Sequence, residues 1–184
     1  MADRTVNGIR GCINSLDMTV GPCVEQASNS LAREQVALMM KYLTFVSKRV
    51  NLIGDRVRFE LGWYVEMGTG VAEAMQRFGQ DTSELVDLCD RGKGSLALAG
   101  ARQVELEAVS SVLRTEVSRI LRTLAGGCQA LRKAVHAVVV ACSRPLIEFQ
   151  RSWFAPQAWE SNADQLPDVE TLLAKPAPSA HAPI

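Results

Sequence analysis

Glu60 is a carboxylate on a helical seam that otherwise carries apolar side chains, and leaving it buried and unpaired would cost on the order of several kcal/mol. Arg56 lies one helical turn earlier and Trp63 and Tyr64 follow directly, so two arrangements suit the charge. In one, Arg56 and Glu60 form a helix ion pair. In the other, Glu60, Trp63 and Tyr64 form the polar wall of a ligand pocket between helices, with His136 as a further ligand-binding residue or general base. A buried polar residue can also fix which helices pair and in what register.

Other chemistry-bearing residues are sparse. His136 sits in the apolar run Ala134, Val135, Ala137, Val138, where an ordinary half-buried histidine is the simpler expectation, and His181 is the only other histidine. The chain has no Glu-x-x-His pair of the kind that builds two-metal sites inside helix bundles and no Cys-x-x-Cys pair for zinc, so neither a metal nor a cofactor is expected. No strand-turn-helix nucleophile signature supports a catalytic triad, and catalytic residues stay unassigned. Arg91-Gly92-Lys93-Gly94-Ser95 has the composition of an anion-binding loop, but its glycines do not stand where a phosphate loop requires them, so it reads as a polar connection.

The element that must position these residues runs from Val36 to Phe78. Val36, Met39, Leu43, Val46, Val50, Ile53, Val57, Glu60, Tyr64, Met67, Val71, Ala74 and Phe78 follow a heptad seam. A second row, Leu38, Phe45, Leu52 and Phe59, lies roughly 130° away at about 100° per residue. One helix then meets more than one neighbour, and the second row is the candidate partner-binding surface. Ser28-Asn29-Ser30 supplies caps for a start near Leu31. Gly68-Thr69-Gly70 is the expected bend, since each interior glycine costs about 1 kcal/mol relative to alanine.

Before the spine, Val6, Ile9, Ile13, Leu16 and Val20 make an apolar face that Gly21-Pro22 interrupts. After it, Asp81-Thr82-Ser83-Glu84 resembles a capping box opening a short helix to Cys89, and Asp90 to Ser95 reads as a loop whose Ser95 caps the next helix. Leu106, Val109, Leu113, Val117, Ile120 and Leu124 form the next stripe, closed by Gly126-Gly127. Leu131, Val135, Val138, Cys142, Leu146, Phe149 and Trp153 form the last, with Pro145 expected to kink it before an end near Phe154. In the proline-rich remainder, Leu166, Val169, Leu172 and Leu173 could form a short helix that docks on its own bundle.

These patterns predict an all-α fold: a four- to five-helix bundle with one long central helix over residues 1–155, then a partly disordered C-terminal tail over 156–184. With 184 residues and 47% hydrophobic content, the chain can bury a real core. A formal net charge of 0 argues against a dedicated nucleic-acid binder. Five cysteines, an odd number without regular spacing, point to a reducing compartment, and the polar N-terminus and lack of a long apolar run point to a cytoplasmic protein without a transmembrane segment. The long seam and second row leave apolar surface to cover, so a homodimer is expected. The first function these features suggest is a non-catalytic interaction module, an accessory or adaptor subunit for another protein. The alternatives are a small-molecule-binding bundle or small enzyme at Glu60 and Tyr64, and a coat protein of a lipid or polymer surface.

Overall fold

The computed structural model describes residues 4–27, 29–126, 128–157 and 161–175. Among them there is no strand. The α-helices are α1 (Arg4–Ser15), α2 (Gly21–Gln26), α3 (Ser30–Arg49), α4 (Ile53–Gln76), α5 (Ser83–Ala97), α6 (Gln103–Thr123), α7 (Gln129–Phe154) and α8 (Val169–Leu173). A single 3-10 turn, Val50–Leu52, joins α3 to α4, giving a helical run of 47 residues. The chain forms two compact units, Met1–Ile53 with Gln150–Pro167, and Gly54–Phe149 with Asp168–Ile184. Ser28, Gly127, Glu160, His181 and the expected disorder of the extreme tail fall outside the described residues.

The second unit is a helical bundle. Leu61, Val65 and Val71 of α4, Leu85 and Cys89 of α5, Leu106 and Leu113 of α6, and Leu131, Val135 and Leu146 of α7 share one core. These are the residues that helical spacing puts on one face of each segment. In the tail, the Asp168 carboxylate accepts from the backbone N–H groups of Glu170 (3.0 Å) and Thr171 (3.3 Å), opening α8, and Val169 and Leu172 are buried.

Two local expectations are corrected, both for the same reason. The segment Asp90 to Ser95 is the interior of α5 and not a loop, and Ser95 donates to the Arg91 carbonyl instead of capping a new helix. Gly68-Thr69-Gly70 is likewise the interior of α4 and not a bend. A Cβ on Gly92 would lie 2.5 Å from Val65 Cγ2, one on Gly68 2.6 Å from Cys89 Sγ, and one on Gly70 2.8 Å from Val138 Cγ1. The glycines let helix backbones approach closely, a packing role that local propensity cannot register.

The first unit is thinner. α1 and α2 pack on α3, yet neither buries a residue fully and α3 buries only Phe45. Pro22 has no N–H to offer the Met18 carbonyl, and just upstream the helix widens into a π turn, Leu16–Val20, where the Gly21 N–H reaches back to the Leu16 carbonyl. Asn29 opens α3 by accepting from the Ala32 N–H at 3.0 Å.

Two arginines satisfy carbonyls at helix C-termini, where the helix dipole favours a cation. In the first unit, Arg49 donates to the carbonyls of Trp153 (3.0 Å) and Ser152 (3.1 Å) at the end of α7. In the second, Arg58 donates to those of Leu96 (3.0 Å) and Leu98 (2.9 Å) where α5 stops.

Candidate functional site

Around Glu60 the structure pairs the carboxylate within its own helix and sets a second cation against an aromatic ring. Arg56 Nε donates to Glu60 Oε1 at 2.9 Å, the i to i+4 pair that the spacing allowed. The side chains of Arg56 and Glu60 stay 32% and 19% exposed, and an i to i+4 helix pair contributes about 0.3–0.5 kcal/mol. The Arg114 guanidinium of α6 lies 5.7 Å from the centre of the half-buried Tyr64 ring. Burial pushes the Tyr64 phenol above its ordinary 10.0, with Arg114 opposing that shift. At neutral pH the phenol is therefore a hydrogen-bonding group rather than a base.

Trp63 packs edge-on to Phe59, with 6.3 Å between ring centres, and its buried indole N–H has no hydrogen-bond partner. His136 is exposed on α7 and takes no part in this network. The arrangement thus brings Glu60 and Tyr64 together under two arginines, places Trp63 beside them against the core, and leaves His136 elsewhere. Ion pairing and cation–π contact are the chemistry these groups perform on one another.

The thiols are all unpaired: Cys12, Cys23 and Cys128 are exposed, Cys142 is half-buried and Cys89 is buried. Burial raises the Cys89 and Cys142 thiols, while the backbone N–H groups of Leu131 and Ala130 lower that of Cys128. Among the described residues no group of three or more His, Cys, Asp or Glu side chains could hold a metal ion, and no helix is long and apolar enough to cross a membrane. A cleft of about 270 Å³ in the first unit has apolar walls from Leu16, Val24, Val36 and Met40, with Asp17 and Arg33 also lining it. It falls just below the roughly 300–1,000 Å³ common for small-molecule sites.

The second apolar row divides into three fates. Phe45 is buried, stacked on Phe154 at 5.6 Å. Phe59 is half-buried, 4.4 Å from Phe149, and Leu52 is half-buried in the 3-10 turn. Leu38 alone stands in solvent, 52% exposed.

Sequence reasoning missed the company Leu38 keeps. Leu31, Met39 and Tyr42 are also exposed, at 64%, 52% and 60%. At about 100° per residue, these four side chains fall within roughly 100° of one another on α3. The α3 residues that line the cleft, Arg33, Val36, Ala37 and Met40, occupy the other side of the helix. The signal was present in the spacing, because Leu31 and Leu38 are seven apart and Tyr42 follows at four. Assigning Met39 to the main seam hid it.

Exposed apolar residues elsewhere, such as Leu98, Val104 and Val140, belong to different helices or their ends. The α3 stripe is the strongest candidate for a functional surface. Compared with protein-family models, curated proteins and solved structures, the chain matches none of them.

Proposed function

We propose that this protein is a non-catalytic helical interaction module, which acts by holding another polypeptide helix on the exposed face of α3. The observation that carries the reading is the stripe of Leu31, Leu38, Met39 and Tyr42, four large apolar side chains more than half exposed on one helix face. Water-exposed rows of this kind are the receiving surface in helix-to-helix recognition. The Arg56–Glu60 ion pair and the Arg114–Tyr64 contact fit a structural network better than a reaction centre.

Covering the exposed parts of these four side chains contributes on the order of 5 kcal/mol, from about 1.5–3 kcal/mol per fully buried side chain. Association itself costs at least about 4 kcal/mol. The apolar stripe alone therefore gives weak, reversible binding, and polar groups at its edges decide which partner wins.

A photo-reactive amino acid placed at Leu38 or Tyr42 in the native host should crosslink to a polypeptide, while the same group at exposed Val140 of α7 should not. Absence of adducts at both α3 positions, or equal labelling at Val140, would sink the reading.

A further inference from the structure

The α3 stripe has a second property: its residues are spaced as a two-stranded coil requires. Leu31, Gln35, Leu38, Tyr42, Phe45 and Arg49 follow at intervals of four and three, the repeat that keeps one seam facing a partner helix. Phe45 is stacked under Phe154, and Arg49 is turned to the Ser152 and Trp153 carbonyls. The open part of the seam is therefore Leu31 to Tyr42, four positions deep. Along one edge run Glu34 and Lys41, both exposed, and along the other run Ala32 and Met39. Among the described residues neither Glu34 nor Lys41 has an ion-pair partner.

In an antiparallel pair of identical helices each edge meets its own counterpart, whereas in a parallel pair each edge meets the opposite one. Parallel pairing would set the charged edge against Ala32 and Met39. Antiparallel pairing centred on the open seam places Leu31 across from Tyr42 of the second copy, and Gln35 across from Leu38 of the second copy. It also sets Glu34 beside Lys41 of the second copy, twice by symmetry. Sliding one heptad would bring Lys41 against Lys41 and would need Phe45 and Arg49 in the seam, where both are already engaged.

On this charge complementarity we infer that the occupant of the exposed α3 face is a second copy of this chain, antiparallel, with the Glu34–Lys41 pair formed twice. The inference rests on the interaction reading above and names the partner.

Sedimentation velocity of the full-length chain, run from roughly 1 to 200 μM to cover weak association, tests it through Glu34→Lys, Lys41→Glu and the double variant. Both sites are exposed and far from the core, and circular dichroism checks that each variant stays folded. The wild type should dimerise with rising concentration. Each single variant should weaken dimerisation by about tenfold or more, since two attractions become two repulsions, and the double variant should recover it. Mixing the two single variants should form a one-to-one heterodimer, because each then meets its opposite charge.

A chain that stays monomeric throughout overturns the inference, as does a double variant no better than the singles. If it is monomeric yet Leu38 crosslinks to a different protein, the interaction reading stands and the second-copy assignment falls. If it is monomeric, uncrosslinked, and instead floats with anionic vesicles, both fall.

Discussion

Gly92 and Gly94 stand two residues apart inside α5, and replacing each with alanine should move stability in opposite directions. Both substitutions gain about 1 kcal/mol of helix propensity. A Cβ on Gly94 meets nothing within 4 Å, so Gly94→Ala should stabilise by that full amount. A Cβ on Gly92 would sit 2.5 Å from Val65 Cγ2, with Leu113 Cδ1 at 3.5 Å and Leu61 Cδ1 at 3.7 Å. Val65 is buried and β-branched, so its rotamer is fixed and it cannot swing away. Overpacking of this kind costs about 1–3 kcal/mol.

Because the propensity gain is common to both variants, the difference between them isolates the packing term. Gly92→Ala should be less stable than Gly94→Ala by about 1–3 kcal/mol. Urea unfolding followed by circular dichroism at 222 nm measures it. Adding Val65→Ala to Gly92→Ala should recover part of the loss, as a coupling of about 0.5–3 kcal/mol between contacting residues. Equal stabilities for the two glycine variants would refute the close approach of α4 and α5, and would return Asp90 to Ser95 to the loop that its composition suggests.

Three further outcomes follow from the side-chain geometry. Arg58→Ala should destabilise the second unit by about 1–2 kcal/mol, because the carbonyls of Leu96 and Leu98 lose a charged donor, and urea unfolding should detect it while Arg58→Lys loses less. Arg119 of α6 binds Glu116 through two hydrogen bonds, one at 2.7 Å from Nε, and holds that buried carboxyl below its ordinary 4.5. A lowered carboxylate stabilises the fold above its unfolded value and ceases to as pH falls through its folded one, so Glu116→Gln should flatten the stability curve below about pH 4.5. With iodoacetamide at pH 7, mass spectrometry should find Cys128, exposed and lowered by two backbone N–H groups, alkylated well before buried Cys89; the reverse order would contradict their placement.

Apolar periodicity made the helices of the bundle legible. Leu106 to Leu124 and Leu131 to Trp153 were read as core stripes because burial at spacings of three and four leaves a trace in a single segment. The tail helix was legible for the same reason, in Val169 and Leu172. The glycines were not. Whether Gly68 bends a helix or admits a neighbour depends on Cys89, twenty-one residues later, and no local pattern carries that. The arginines were equally opaque, since Arg58 on the helix surface reads as a solvated charge until the end of α5 is known to lie beside it.

Of the candidate ligand residues, the pairing of Glu60 with Arg56 was readable from a spacing of four, and the meeting of Tyr64 with Arg114 was not. His136 was placed by its apolar neighbours in sequence, but an α-helix turns about 100° per residue, and flanking residues say little about where one side chain faces.

The two hydrogen bonds from Arg49 to the Ser152 and Trp153 carbonyls also bear on the order in which the protein assembles. They close a span of more than 100 residues, and the first unit draws its second segment, Gln150–Pro167, from beyond that span. Most of the second unit is contiguous, with α4 to α6 joined by short connections, so it can condense while its contacts are still local. As the chain emerges during synthesis, α1, α2 and α3 come out well before the Gln150–Pro167 segment that completes their unit. Until Phe154 follows, Phe45 lacks the ring that covers it, and the apolar side of α3 is longer in the nascent protein than in the finished one.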